Sequence, residues 1–429
     1  MKSINSAISD ILQARENRFH LIQELLKTKK IVVSLKANIP GAVKQRKEAY
    51  LLLSLFDCLI NLDYSDKIFL DNSDGPCLIY LLNDGNPYLI KTKMMALEDQ
   101  SPVGRLIDID VFSNNDQSIK RRKLRKCLIC EEPAFLCIRL KKHQEDELLK
   151  QISQIVNDEL SIKIEHLIDE SIMAELNLEP KFGLVTPSST GSHKDMNYHL
   201  MIKAKEAIKP YLIKMFFEGY TKDDLPILFI NIRKIGLEAE KAMMKATSNI
   251  NCYKGLIFNL GLVLASSAYV LSNKLFFEDI FIVIEKMTQG ISSELVKAPS
   301  TFGMIAYQKY QIGGARKEAE LGFPTIQKVL PLLKSINKED LTLTLIELIK
   351  HCEDTVLLKR CGSVEKYLFF KNLINSIKEY NESQIKAITE ECINNNVSFG
   401  GSADLLITTI YLKRFKEVFS LDYFKKLIK

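Results

Sequence analysis

Gly183-Leu184-Val185-Thr186-Pro187-Ser188-Ser189-Thr190-Gly191-Ser192-His193-Lys194-Asp195-Met196-Asn197 divides the chain into two kinds of sequence. Before it, short β-branched runs alternate with helical patterns. After it, helical patterns follow one another for more than two hundred residues. Pro187 and Gly191 break regular structure, which places a histidine, a lysine and an aspartate on a turn that a ligand can approach closely. Ser192 and Asp195 have the spacing of a capping box for a helix opened at Met196. A helix N-terminus with Lys194 beside it suits an anion such as a phosphate. By itself, the stretch also has the form of an ordinary helix cap on a solvent loop.

Downstream, apolar residues recur at helical spacing near 197–218, 225–247, 254–273, 276–289, 301–311, 322–334, 338–350, 364–376, 383–395 and 402–418. Short connections, several with Gly or Pro, point to an all-α domain built by helix packing. Upstream, residues 3–29 form an amphipathic helical pattern with acids and bases in it, unlike a signal peptide. A β-branched run at 31–35 ends in the turn Asn38-Ile39-Pro40-Gly41, and a helix is expected near 43–61. Residues 77–82 and 88–90 read as strands around the turn Asn83-Asp84-Gly85-Asn86, and 106–112 as another strand. The expected fold is therefore multidomain: an N-terminal α/β domain (1–158) followed by an all-α helical domain (159–429).

The length of 429 residues requires more than one ordinary domain. A net charge of +6 suits anionic ligands or an acidic partner and does not demand nucleic acid. The longest uncharged run, 255–273, holds Asn259, Ser266, Ser267 and Asn273, so a buried core helix is favoured over a membrane span. Nine scattered cysteines suggest a reducing, cytoplasmic setting.

Several groups in the first part carry chemistry. Asp108 and Asp110, two apart on a strand, share a face and suit Mg²⁺ with a bound pyrophosphate, or form a plain solvent-facing pair. Arg105 lies just ahead of them, and Arg121, Arg122 and Arg125 follow in a basic run fit for phosphates or an acidic protein. Cys127, Cys130, Cys137 and His143 offer four ligands for a structural Zn²⁺, against packed free thiols. In the second part, polar residues gather at five helix ends. If these converge, Asp195, Asp354 and Asp404 would supply a metal site, and Lys194, Lys254, Arg316 and Arg360 would serve phosphates.

Arg15-Glu16-Asn17-Arg18, the segment 33–41, Gly104-Arg105-Leu106-Ile107-Asp108-Ile109-Asp110-Val111 and the cysteine cluster with Arg139 and His143 resemble, in that order, the holo-citrate lyase synthase family, also called apo-citrate lyase phosphoribosyl-dephospho-CoA transferase. The five polar segments of the second part resemble the triphosphoribosyl-dephospho-CoA synthase family, with departures at Phe182, Cys252, Tyr253, Lys317, Val356 and Cys361. These resemblances imply a bifunctional transferase. Its C-terminal half would join ATP to 3'-dephospho-CoA and release adenine. Its N-terminal half would pass the product to a serine of the acyl carrier (gamma) subunit of citrate lyase and release pyrophosphate. The implied assignments are Asp195 and His193 as catalytic groups, and Lys194, Asn251, Lys254, Arg316, Glu320, Arg360 and Ser402 for ATP. Mg²⁺ would sit at Asp354 and Asp404, and at Asp108 and Asp110, which also serve the transfer. Arg105, Arg121, Arg122 and Arg125 would hold the donor's phosphates. Two alternatives remain: the same prosthetic group serving malonate decarboxylase, and a non-catalytic adaptor for an acidic carrier protein.

Overall fold

A computed structural model describes residues 4–113, 125–221 and 224–421. The chain divides into two compact units, and the change falls within one helix, between Lys163 and Ile164; short pieces at 273–275 and from Glu417 on belong with the first unit.

In the first unit the elements run α1 (Ile4–Leu26), β1 (Ile31–Ala37), α2 (Lys47–Leu59), β2 (Asp66–Asn72), β3 (Gly75–Leu82), α3 (Pro87–Asp99), β4 (Ile107–Ser113), α4 (Ala134–Arg139) and α5 (Glu145–Leu176), which continues into the second unit. The four strands make one antiparallel sheet in the order β2-β3-β1-β4. Period two sends Val32, Cys77, Ile79 and Leu81 to one face, where Ile22 and Leu26 of α1 cover them. Lys36 lies opposite Asp108, and Ser34 opposite Asp110, on that same face near the edge strand β4.

Two expectations fail here. Residues 88–90 are helical, not a strand: Asn86 caps α3 by accepting from the backbone N–H groups of Tyr88 and Leu89, and Pro87 takes the first helical position. Asn-Pro is a helix-start signal as much as a turn signal. The strand β2 escaped notice because Asp66, Lys67, Asp71 and Asn72 mask its pattern on an edge that tolerates polar residues.

The second unit contains α6 (Tyr198–Thr221), α7 (Leu225–Ala246), α8 (Lys254–Ser272), α9 (Asp279–Met287), α10 (Phe302–Tyr310), α11 (Gly314–Glu320), α12 (Pro324–Val329), α13 (Lys338–His351), α14 (Thr355–Cys361), α15 (Val364–Asn375), α16 (Glu382–Asn394) and α17 (Gly400–Val418). No strand occurs there among the described residues. Helix α8 is its centre. It is long and apolar enough to cross a membrane, but 78% of its span is buried. Gly219 lets α6 approach it: a Cβ there would collide with the backbone of Ala265.

The expected capping box is absent. Helix α6 opens at Tyr198, and Asn197 accepts from the backbone N–H of Leu200 at 3.0 Å. Ser192 is buried and donates instead to the carbonyls of Cys392 (3.2 Å) and Val397 (2.5 Å). Helices α11 and α14, seven residues each, lie outside the expected helical spans, in segments read as polar helix ends.

Candidate active sites

In the helical unit, segments far apart in sequence meet around one cavity of about 80 Å³, lined by residues of α8, α11, α14 and α17, with Asn259, Glu318, Asp354 and Asp404 among them. Gly255 is needed there, because a Cβ would collide with the carboxylate of Asp404. Asp354 caps α14: its Oδ1 accepts from the N–H groups of Val356 (2.9 Å) and Leu357 (3.0 Å). Its Oδ2 accepts from the N–H (2.9 Å) and Oγ–H (3.0 Å) of Ser402. A carboxylate offers about four acceptor positions, so Asp354 is saturated by its own fold and ties α14 to α17. Ser402 lies inside α17 and serves this tie.

Asp404 differs. Among the described residues no side chain donates to its carboxyl, and its pKa stands well above the usual carboxylate range through burial, then the charges of Asp354 and Glu175. Glu318 is likewise raised by burial, although Thr325 Oγ1 donates to it at 2.6 Å. Asn259 Oδ1 is buried with no hydrogen-bond partner. A carboxylate held against neighbouring negative charge, beside an orphaned amide oxygen, is the donor set a hard divalent cation takes.

On the adjoining faces of α8 and α11, Lys254 and Arg316 line a second cavity of about 220 Å³. Lys254 Nζ pairs with Glu240 at 2.8 Å, and Arg316 Nε lies 3.7 Å from Glu294. Asn251 caps α8 through the N–H of Lys254 (3.0 Å). Glu320 accepts from the backbone N–H of Gly290 at 2.7 Å, so it braces a loop.

The loop 183–195 is clamped from α14. Arg360 donates to the carbonyl of Ser192 at 3.0 Å and faces His193 Nδ1 at 2.6 Å. Burial, then the Arg360 charge, lowers the His193 pKa to about 4, partly opposed by Asp195. His193 is therefore neutral near pH 7. Asp195 and Lys194 are exposed.

In the first unit a larger cavity, about 1070 Å³, is lined by the cations Arg15, Lys44, Arg105, Arg125, Lys126 and Lys141, against one carboxylate, Glu145, among the described residues. Its back is built on Asp74, whose side chain is fully buried and receives Arg15 (2.8 Å), Arg18 (2.5 Å) and Lys36. Burial opposes the Asp74 charge, but the bonds from Lys36 and Arg15 outweigh it and hold the pKa below its usual value. Burial lowers Lys36 to about 8. Arg125 bonds Glu98 at 2.8 Å and reaches Asp108 at 3.6 Å; Lys91 lies 3.9 Å from Asp110. Arg105 donates to the carbonyl of Lys126. Arg121 and Arg122 lie outside the described residues.

Two family models match the chain in tandem. Residues 6–159 match the apo-citrate lyase phosphoribosyl-dephospho-CoA transferase, and residues 161–422 match the ATP:dephospho-CoA triphosphoribosyl transferase. The chain belongs to both families. It is 31% identical to Protein CitXG of Leuconostoc mesenteroides over 90% of this chain and 91% of that protein. It is 33% identical to Protein CitXG of Haemophilus influenzae, over 76% of this chain and 77% of that one. The 2-(5''-triphosphoribosyl)-3'-dephosphocoenzyme-A synthase of Haemophilus ducreyi is 32% identical over 66% of this chain and 98% of its own length.

The chain is therefore a transferase with two activities, a transferase half followed by a synthase half. In the synthase half, Asp354, Ser402 and Asp404 come together, as do Lys254 with Arg316 and His193 with Arg360. Sequence reasoning missed Asn259, Glu318 and the buried pair of Lys181 Nζ with Glu175 Oε1 (2.8 Å). Asn259 had a signal: it stands four residues after Gly255, on the same helix face, as a lone amide in the most apolar helix. In the transferase half, Lys44 and the Asp74 anchor were missed, and Arg15 was singled out as part of a family motif without a role; Arg15 and Arg18 sit three apart on one helix face, where period 3.6 would have paired them.

Proposed function

We propose that the synthase half, residues 159–429, joins ATP to 3'-dephospho-CoA in the cavity around Asp404, and that the transferase half, residues 1–158, moves the product onto a carrier protein. The matched segments 6–159 and 161–422 support that division. In the first reaction a ribose hydroxyl of dephospho-CoA forms a bond to the anomeric carbon of ATP's ribose. The bond from that carbon to adenine breaks, the hydroxyl proton goes to a carboxylate, and adenine leaves after taking up a proton. The observation that carries this reading is the meeting of α8, α11, α14 and α17 at Asp404 and Asn259, with Lys254 and Arg316 on the adjoining faces.

Asp404, with Asn259 and Glu318, would hold Mg²⁺, and Asp354 would stand behind them as the group that fixes α14 to α17. Mg²⁺ bound there would neutralise triphosphate charge. Lys254 and Arg316 would exchange Glu240 and Glu294 for phosphate oxygens. Asp195, exposed on the clamped loop, would take the hydroxyl proton. His193, neutral beside Arg360, orients that loop and accepts hydrogen bonds; a group with a pKa of about 4 holds too little proton near pH 7 to protonate adenine.

In the transferase half, the carrier's serine hydroxyl would attack the phosphorus attached to the ribose. A new P–O bond forms, the bond to pyrophosphate breaks, and the serine proton passes to Asp108 or Asp110. Arg15, Lys44, Arg105 and Arg125 would neutralise the leaving pyrophosphate, with Mg²⁺ on the Asp108/Asp110 edge of β4. The cation-rich rim suits an acidic acyl carrier such as the citrate lyase subunit.

The test is adenine release from ATP by the full chain. We expect release only when dephospho-CoA is present, and phosphoribosyl-dephospho-CoA on the purified citrate lyase carrier by mass spectrometry. Adenine release that ignores dephospho-CoA removes the synthase reading. A carrier left unmodified when preformed donor is supplied removes the transfer reading.

A further inference from the structure

Cys127, Cys130, Cys137 and His143 stand apart from the other cysteines of the chain. Cys77, Cys352 and Cys392 are fully buried in ordinary packing. Of the four clustered residues only Cys137 is buried, and Cys127, Cys137 and His143 line the cation-rich cavity of the transferase half. Their ligand atoms all lie within 4.8 Å of one another. Cys130 Sγ is 3.5 Å from Cys137 Sγ and 3.3 Å from His143 Nε2. With bonds of about 2.3 Å to sulfur and about 2.0 Å to nitrogen, a tetrahedral zinc site has edges of about 3.5–3.8 Å. The two edges at Cys130, 3.5 Å and 3.3 Å, lie close to that range, the other four are within 4.8 Å, and one corner is the imidazole nitrogen a metal prefers.

The backbone around the cluster has a second mark of such a site. Cys127 and Cys130 flank a tight turn whose N–H groups at Ile129 (3.5 Å) and Cys130 point at Cys127 Sγ. Amide donors aimed at a cysteine sulfur stabilise it as a thiolate and orient it for a metal. A short ladder closes the turn: Cys127 N–H donates to the carbonyl of Glu132 (2.7 Å), and Ala134 N–H to that of Arg125 (2.9 Å). Cys137 then comes from α4, a helix of six residues. Residues 125–143 thus have one bridge, one short helix and little apolar burial of their own. Yet they hold Arg125 against Glu98 and Asp108, and Lys126 against Arg105.

We propose that these four residues bind one structural zinc ion that holds the wall of the transferase cavity, with no part in the synthase half. Three thiolates and a neutral imidazole around Zn²⁺ leave one net negative charge, which Arg105, Arg125 and Lys126 of the same wall offset. Binding releases the thiol protons. The location of the wall's purpose rests on the transfer reading above; the metal itself does not.

The experiment uses the full chain, purified without chelator. Elemental analysis is expected to give about one zinc per chain, falling at least fivefold in Cys130→Ser and Cys137→Ser and unchanged in Cys58→Ser. Because a variant can misfold, the wild type is also exchanged with Co²⁺, which must develop the visible absorption of a tetrahedral thiolate site. Adenine release, which the other unit performs, is expected to persist in the cysteine variants while carrier modification falls at least tenfold. A chain that purifies without zinc and stays colourless with Co²⁺ overturns the proposal. So does a Cys130–Cys137 disulfide in the freshly purified protein.

Discussion

On the proposed reading, the two cavities would handle a polyphosphate in opposite ways. The transferase cavity is built on a sheet, where strand register alone sets Lys36 beside Asp108, and a single buried aspartate, Asp74, gathers Arg15, Arg18 and Lys36 behind it. Its charged lining residues are nearly all positive. The synthase cavity is built at helix ends and is carboxylate-rich, with its cations paired to Glu240 and Glu294 next door. One site stores its cations ready for an anion. The other would store negative charge for a cation that arrives with the nucleotide. The difference teaches that anion binding can be preformed or made to depend on a metal, and that the charges around the buried aspartate, cations at Asp74 and carboxylates at Asp404, tell which.

Asp404→Asn gives the largest expected effect and breaks the comparison if it fails. Removing the cation-binding carboxylate is expected to lower adenine release about 10³-fold. Because burial, Asp354 and Glu175 all disfavour the Asp404 charge, the variant is expected to melt no lower than the wild type. Asp354→Ala should lose both activity and stability, since four hydrogen bonds go with it. Adenine release by Asp404→Asn within tenfold of the wild type would refute the metal-dependent reading.

Asp74→Ala tests the opposite anchor. Three cations would be left without their carboxylate, one of them half-exposed, at an expected cost of about 3 kcal/mol to the first unit. Thermal unfolding followed by hydrogen exchange should show that loss in residues 4–113 and leave the helical unit unchanged. Smaller again is Arg105→Ala. It removes one of six lining cations and is expected to raise the KM for the triphosphoribosyl donor about tenfold, with kcat changed much less. An equal fall in kcat and kcat/KM, with KM unchanged, would instead place Arg105 on the leaving group alone.

The sequence made the second unit more legible than the first, for physical reasons. Long helices such as α8 repeat an apolar face over five turns, and their period survives scattered polar residues. Helices α11 and α14 span two turns each, too short to display a period, so the polar groups they carry read as turns. The tie of Asp354 to Ser402 crosses 48 residues, and local pattern holds no trace of it. In the first unit, Asn86-Pro87 has one meaning in a hairpin and another at a helix start, and the Asn86 cap onto Tyr88 and Leu89 marks the second. The Asp74 anchor draws cations from α1 and β1, so its sequence neighbours Asn72 and Ser73 gave no warning.

The smallest effect concerns the loop itself. His193 has a folded pKa of about 4, below its usual 6.5, because burial and then Arg360 disfavour the imidazolium. The unfolded chain therefore binds the proton more readily between those values. Stability from this group is complete above about pH 6.5 and is lost as pH falls toward 4. His193→Gln keeps a hydrogen-bonding group and removes the titration. The variant should melt within about 2 °C of the wild type at pH 7 and lose less on going to pH 5. Wild-type adenine release should show no step assignable to His193 above pH 6, because the neutral ring is the form that faces Arg360. A step near pH 6.5 that disappears in His193→Gln would mean that the loop opens in solution and frees the imidazole from Arg360, and the clamp that positions Asp195 would then have to be made by the nucleotide instead of by α14.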